Sequence, residues 1–425
     1  MKDKLRFIEK SSLKDIDVYV LETNKFKTDM INIFFVDNLE RESVTKNSIL
    51  PFVLKSGCEK YPKSIDLSIR LEELYGASFD CGVAKKGEQH IMVYSINSIA
   101  DAYTSEKSNQ FKKSFDFLNN VVFNPLIEDS AFNNEYLKTE KNNIKDVIEG
   151  RINDKFKYAV DRCLEEMCKG ERFEVYENGY VEDIDKINAQ NLYRHYLSSI
   201  SNLKIYVFIT GNVDEEMINH VVDKLSLIKR GAIKDIEKTQ VIKNIIKPKT
   251  VEEKMNINQG KLSIGLRTNT SCDENDYYKM LVCNGILGGG VHSKLFRNVR
   301  EKNSLAYYAF SRLEKFKGLM VISSGIDAKN VKEAQKIMLE QVEEIGSGNI
   351  TDFEYQATIK SIENSLKLIN DSEMQITDFY FSQILAGTND TPETLTEKIR
   401  NVSKKDVVDV SSKIKLDTIY FLSGN

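Results

Sequence analysis

The chain is poor in the residues from which metal and redox sites are built. It has four histidines in 425 residues, His90, His195, His220 and His292. They lie far apart, and no pair has the i, i+4 spacing by which a helix turns two imidazoles toward one zinc ion. The six cysteines, at 58, 81, 163, 168, 272 and 283, form no C-x-x-C pair. They read as thiols of a reducing compartment, the cytoplasm. No apolar run approaches the roughly 20 residues of a membrane span. The charged opening MKDKLRFIEKSSLKD has no apolar stretch of the kind a signal peptide needs. A net charge of −4 is small for this length and predicts neither a nucleic-acid nor a membrane partner. Five prolines and no low-complexity tract leave the composition of an ordinary globular protein, 41% hydrophobic and 29% charged.

At this length one core is too few, and two domains are expected. Alternating or apolar strings predict strands at 15–22, 29–36, 205–212, 261–270, 305–311 and 318–326, and a hairpin within 75–97. Apolar residues with a period near 3.6 predict helices, among them 47–55, 64–75, 105–121, 129–149, 153–168 and 188–199. In the second half they fall at 275–287, 329–346, 351–370, 371–386 and 403–413. The strings IYVFITGN (205–212) and IYFLSGN (419–425) each follow a short helix, and the order of elements repeats with them. A duplicated α+β architecture follows: two domains at 1–228 and 250–425, joined by a lysine-rich linker at 229–249. Each is expected to be a mainly antiparallel sheet with helices packed on one face.

Candidate chemistry is sparse. Gly285 and Gly290 have the first spacing of a P-loop, but Val291 stands where the lysine belongs. Gly288 reads instead as a helix stop needing left-handed backbone. No G-x-S-x-G elbow occurs. What remains is GGGVHSKLFRNVREKNSLAYYAF (288–310), with Arg300 seven residues before Tyr307. Ser293 is a candidate N-cap of a short helix with Leu295, Phe296 and Val299 on its apolar side. Arg300 would fall in its last turn and Tyr307 at the start of the next strand. Two such donors could hold a peptide carbonyl and the charge that develops on it. On spacing alone two alternatives stay open: an arginine placed to suit the helix dipole, and a tyrosine of the core.

As a string, NGILGGGVHSKLFRNVREKNSLAYYAFS (284–311) resembles the second-domain signature of the insulinase-like (pitrilysin superfamily) zinc peptidases. VVFNPLIEDSAFNNEYLKTEK (121–141) is similar to a first-domain passage of the same family. The resemblance implies two homologous domains of the insulinase-like metallohydrolase fold. It also implies that Arg300 and Tyr307 match the residues that bind substrate backbone near the scissile bond. The family's H-x-x-E-H motif falls on Ser48 to Phe52, with Ser48, Pro51 and Phe52 at the functional positions, and the third ligand position falls on Val147. The implied cofactor state is none on this chain, with zinc on a partner subunit.

By the same resemblance the chain is the non-zinc-binding subunit of a heterodimeric metallopeptidase, inactive alone. Its partners would be a zinc-bearing insulinase-like paralogue and a peptide substrate, and a homodimer of the isolated chain stays open. The rival reading is a non-catalytic peptide- or protein-binding pseudoenzyme. As a scaffold or assembly factor it could be linked to elongation factor P modification, after which some paralogue pairs of low-GC bacteria are named.

Overall fold

The structure is a computed structural model and describes residues 5–104, 109–245 and 247–424. Outside these fall the first residues of the amino-terminal stretch, the start of the helix expected at 105–121, one linker residue and the last residue of the terminal strand string. Contacts divide the chain into two compact units, Met1–Glu149 with Val175–Lys238, and Gly150–Glu174 with Thr239–Asn425.

The first unit begins with β1 (Ile8–Leu13), β2 (Ile16–Glu22), β3 (Thr28–Asn38), α1 (Arg41–Ser56), α2 (Ser64–Glu73), β4 (Ser78–Lys86) and β5 (Gln89–Ile99). It continues with α3 (Gln110–Phe123) and α4 (Asn134–Gly150). After α5 (Lys155–Met167), which belongs to the second unit, it closes with α6 (Ala189–Asn202), β6 (Lys204–Gly211) and α7 (Glu215–Ser226). Its sheet runs β1-β2-β6-β3-β5-β4. β2 and β6 are parallel, and the other pairs are antiparallel. The strand TDMINIFFVDN is buried along nearly its whole length and carries an apolar run from Ile33 to Val36. Ile31, Ile33 and Phe35 meet Leu50 and Leu54 of α1 and Phe115 of α3 in the core. On the other face Phe34 and Phe7 set their edges against Phe208, and Tyr19 stacks on it.

The second unit contains α5, β7 (Lys249–Lys254), β8 (Gly260–Arg267), α8 (Asp276–Gly288), β9 (Ala306–Glu314), β10 (Leu319–Ile326) and α9 (Val331–Gly346). It ends with α10 (Asp352–Ile369), α11 (Glu373–Ala386), α12 (Pro392–Arg400), α13 (Lys404–Ser411) and β11 (Lys415–Ser423). Its sheet order is β9-β10-β8-β11-β7. Only β7 and β11 pair in parallel. Reading β7, β11, β8, β10, β9 against β2, β6, β3, β5, β4 gives the same order and the same directions, so the duplication extends to topology.

The segment Gly150–Glu174 lies with the second unit rather than within an uninterrupted 1–228. The reason is packing. Val160, Leu164 and Met167 of α5 bury against Leu319, Val321, Tyr420 and Leu422. A Cβ on Gly265 would stand 2.7 Å from Met167 Sδ, so this glycine admits the helix. α5 thereby covers the sheet face opposite α8. Buried Arg267 fixes the end of the segment. It donates to Asp417 Oδ2 at 2.8 Å, to Glu171 Oε1 at 2.6 Å and to the Met167 carbonyl at 3.0 Å. Among the described residues, no helix is long and apolar enough to cross a membrane.

Candidate functional site

The stretch 284–311 is shaped by close approach. Gly288 ends α8 against β9, and a Cβ there would lie 2.2 Å from Ser311 N. A Cβ on Gly285 would lie 2.4 Å from Thr358 Cγ2 of α10. The left-handed stop expected at Gly288 does not form. None of the three glycines has positive φ, and Gly289, the C-cap, has φ −83°. The three-glycine run serves tight packing.

Ser293 Oγ accepts from Phe296 N at 3.4 Å, and Val299 and Leu295 are fully buried. The helix that follows is wider than expected, a π-helix over Phe296–Lys302. Such insertions recur at functional sites because they re-aim one side chain. Arg300 lies in its last turn, exposed, with its guanidinium carbon 4.6 Å from the Phe296 ring centroid. The π-helix lies against β9. The β9–β10 register shifts between Ala306 and Ala309, and Tyr307 sits inside that bulge on the edge strand. At 77% exposure Tyr307 is not a core residue. Among the described residues neither Arg300 nor Tyr307 has a side-chain hydrogen bond or ion pair. The guanidinium covers Phe296, a residue expected on the apolar side of this helix.

The positions of the zinc motif hold other chemistry. Ser48 is fully buried and donates its hydroxyl to the Glu177 carbonyl at 2.9 Å. Pro51 is buried within α1, and the helix runs on through it. Phe52 lines a cavity of about 340 Å3 with Lys55, Leu67, Phe79 and Glu140. Val147 is 49% exposed on α4. Proline, phenylalanine and valine offer a metal no side-chain lone pair, and the one hydroxyl is engaged. These residues do not fit a zinc ion. Among the described residues no three His, Cys, Asp or Glu side chains converge as metal ligands.

Three comparisons bear on this arrangement. The family described as Peptidase M16 inactive domain matches residues 186–362. The probable inactive metalloprotease YmfF of Bacillus subtilis is 34% identical over 415 residues, spanning 98% of this chain and 97% of that protein. The chain belongs to the M16, or insulinase-like, peptidase family. A conserved protein of Enterococcus faecalis V583 superposes with a TM-score of 0.91 at 29% identity, over 99% of each chain. An M16 inactive domain from Pseudomonas fluorescens superposes at 0.81 over 99% of this chain and 98% of that one, and at 17% identity it shows the fold alone. The two-domain α+β insulinase-like fold is thus the one observed, and the chain is a homologue of inactive M16 metalloproteases.

In this M16 homologue the first unit holds a polar cluster that the sequence did not announce. Asn47 of α1, fully buried, joins two histidines that lie far apart in the chain. Its amide nitrogen is 3.2 Å from His90 Nδ1 and 3.3 Å from Asp37 Oδ2, and its oxygen is 2.6 Å from His195 Nε2. His90 Nε2 faces the Glu177 carbonyl at 2.9 Å. An amide oxygen and a carbonyl only accept, so each imidazole carries a proton on Nε2; His90 Nδ1 accepts from the Asn47 amide, which makes that ring neutral. Burial pushes both pKa values down to about 4, and for His195 the Lys46 and Lys234 ammonium groups add to it. Lys234 in turn reaches Asp37 Oδ1 at 2.8 Å and Glu40 at 3.0 Å.

Proposed function

We propose that this chain is the non-zinc-binding subunit of a heterodimeric M16 peptidase, lending Arg300 and Tyr307 to a zinc-bearing paralogue. The observation that carries the reading is the state of those two side chains. Both stand in solvent on adjoining elements of the second unit, uncommitted among the described residues, while the zinc-motif positions of the first unit are filled by side chains that cannot hold metal. A guanidinium and a phenol are the donors a peptide carbonyl requires, and they count for most where negative charge develops on its oxygen. The metal and its water would come from the partner; this chain would bind and orient peptide backbone.

The test is to express the chain with a paralogue bearing H-x-x-E-H, isolate the complex and follow cleavage of a quenched-fluorescence peptide library. Cleavage that needs both subunits and zinc supports the reading. A stable complex that binds peptides and cleaves none favours the scaffold. Failure of the two chains to associate defeats the heterodimer.

A further inference from the structure

We propose that the helical layer of the second unit contains a binding site for an uncharged, mainly apolar small molecule, apart from Arg300 and Tyr307. A cavity of about 460 Å3 opens between α8, α10 and α11. It falls in the range of about 300–1,000 Å3 typical of ligand pockets. Its origin is local. α10 turns Thr358, Ser361 and Ser365 toward Leu281 and Asn284 of α8, and Phe379 of α11 closes one side. Small hydroxyl residues stand where larger apolar ones would fill the space.

Two observations specify the occupant. Asn284 lines this cavity, and its Oδ1, shielded behind the wall, has no hydrogen-bond partner among the described residues, so a small turn of the amide would present it to an occupant. Buried polar atoms are nearly always paired, so the ligand supplies an N–H or O–H donor there. Asp390, the one carboxylate of the wall, is already compensated. Asp390 takes the Tyr278 hydroxyl at 2.5 Å and the Lys398 ammonium at 2.7 Å, and the Lys315 ammonium lies 5.2 Å from the Phe316 ring centroid. His292 has its Nε2 3.0 Å from Thr358 Oγ1. A cationic ligand would find no free carboxylate, whereas an apolar body with one donor matches the mainly apolar wall. His292 and Gly289 line the cavity, so an occupant would touch the turn that leads toward the π-helix carrying Arg300.

The experiment uses the full chain and N-phenyl-1-naphthylamine, a neutral aromatic probe with a single N–H whose fluorescence rises in apolar surroundings. Saturable binding of one probe per chain is expected. Ser361→Trp should abolish it while leaving the melting temperature within a few degrees. If that variant fails to fold, Ser365→Trp, at an exposed rim position, takes its place. Asn284→Leu should weaken the N–H probe about tenfold, the scale of one hydrogen bond, and leave its N-methyl analogue unchanged. Absence of saturable binding, binding indifferent to the tryptophan variants, or equal effects of Asn284→Leu on both probes would overturn the proposal. None of these outcomes depends on a zinc-bearing partner.

Discussion

The Nε2 atom of His195 lies 2.6 Å from the side-chain oxygen of Asn47, and the same amide reaches His90 through its nitrogen. Both imidazoles are buried and neutral, with pKa values lowered from 6.5 to about 4. Below pH 6.5 the unfolded chain takes up protons that the folded chain refuses at these two sites, so the histidine contribution to stability falls as pH drops from about 6.5 to about 4 and levels off below. Each histidine contributes a loss of about 3 kcal/mol across that window. Urea midpoints measured between pH 4 and 8 should show it. His195→Gln, which can still donate to Asn47, should flatten the dependence by about half. An unchanged slope in that variant would remove His195 from the account.

Arg300→Ala and Tyr307→Phe touch exposed side chains with no polar partners among the described residues. Each should change folding stability by less than about 0.5 kcal/mol. In complex with a zinc-bearing partner, each should lower kcat/KM for peptide cleavage by about 100-fold or more, as the loss of a donor to a developing oxyanion does. Melting temperature and steady-state kinetics on the same preparations separate the two effects. Wild-type turnover in both variants would end the proposed role.

Arg267→Met should be costly although it removes no surface feature. Half-buried Glu171 and buried Asp417 would lose their guanidinium, and breaking such a pair destabilises by about 3–5 kcal/mol. Burial alone would raise the Glu171 pKa. Hydrogen bonds from Arg267, Lys243 and Lys317 together outweigh it and hold the carboxyl down to about 2. The local signature expected is faster proteolysis within 150–174, because Arg267 holds the Met167 carbonyl at the end of α5.

Gly288→Ala should destabilise by about 1–3 kcal/mol. The new methyl would meet the backbone nitrogen of Ser311, which cannot turn aside. Gly290→Ala should be far milder, since its Cβ would meet only the His292 ring at 3.1 Å. Chemical denaturation of the two variants checks the contrast.

Much of the fold could be read from the chain. β3 and β8 carry apolar runs, and Thr351 and Ser403 cap their helices as side-chain acceptors. β1 escaped notice because IEKSSL is an edge strand, largely exposed and without a clear apolar face. α12 was not among the expected helices, although Thr391 caps it and Pro at the first helical turn is favourable. The placement of α5 with the second unit depends on Gly265 and Arg267, about a hundred residues away, and no local pattern encodes it. At the candidate site Arg300 and Tyr307 were legible as a string rather than as geometry. The π-helix and the bulge are tertiary outcomes with no sequence period of their own. The Asn47 cluster was hidden for the same reason: its histidines come from α6 and β5 and meet only in the folded unit.

The strand order carries a consequence for how the molecule is made. In each unit a strand from the end of its sequence, β6 or β11, is inserted between strands made much earlier. As the polypeptide leaves the ribosome, neither sheet can close by adding strands outward in turn. β8 must wait for residues 415–423, some 150 positions downstream, to fill the gap beside it. Until then its edge is open to any other strand, so the nascent second half is the stage at which mispairing or chaperone capture is expected.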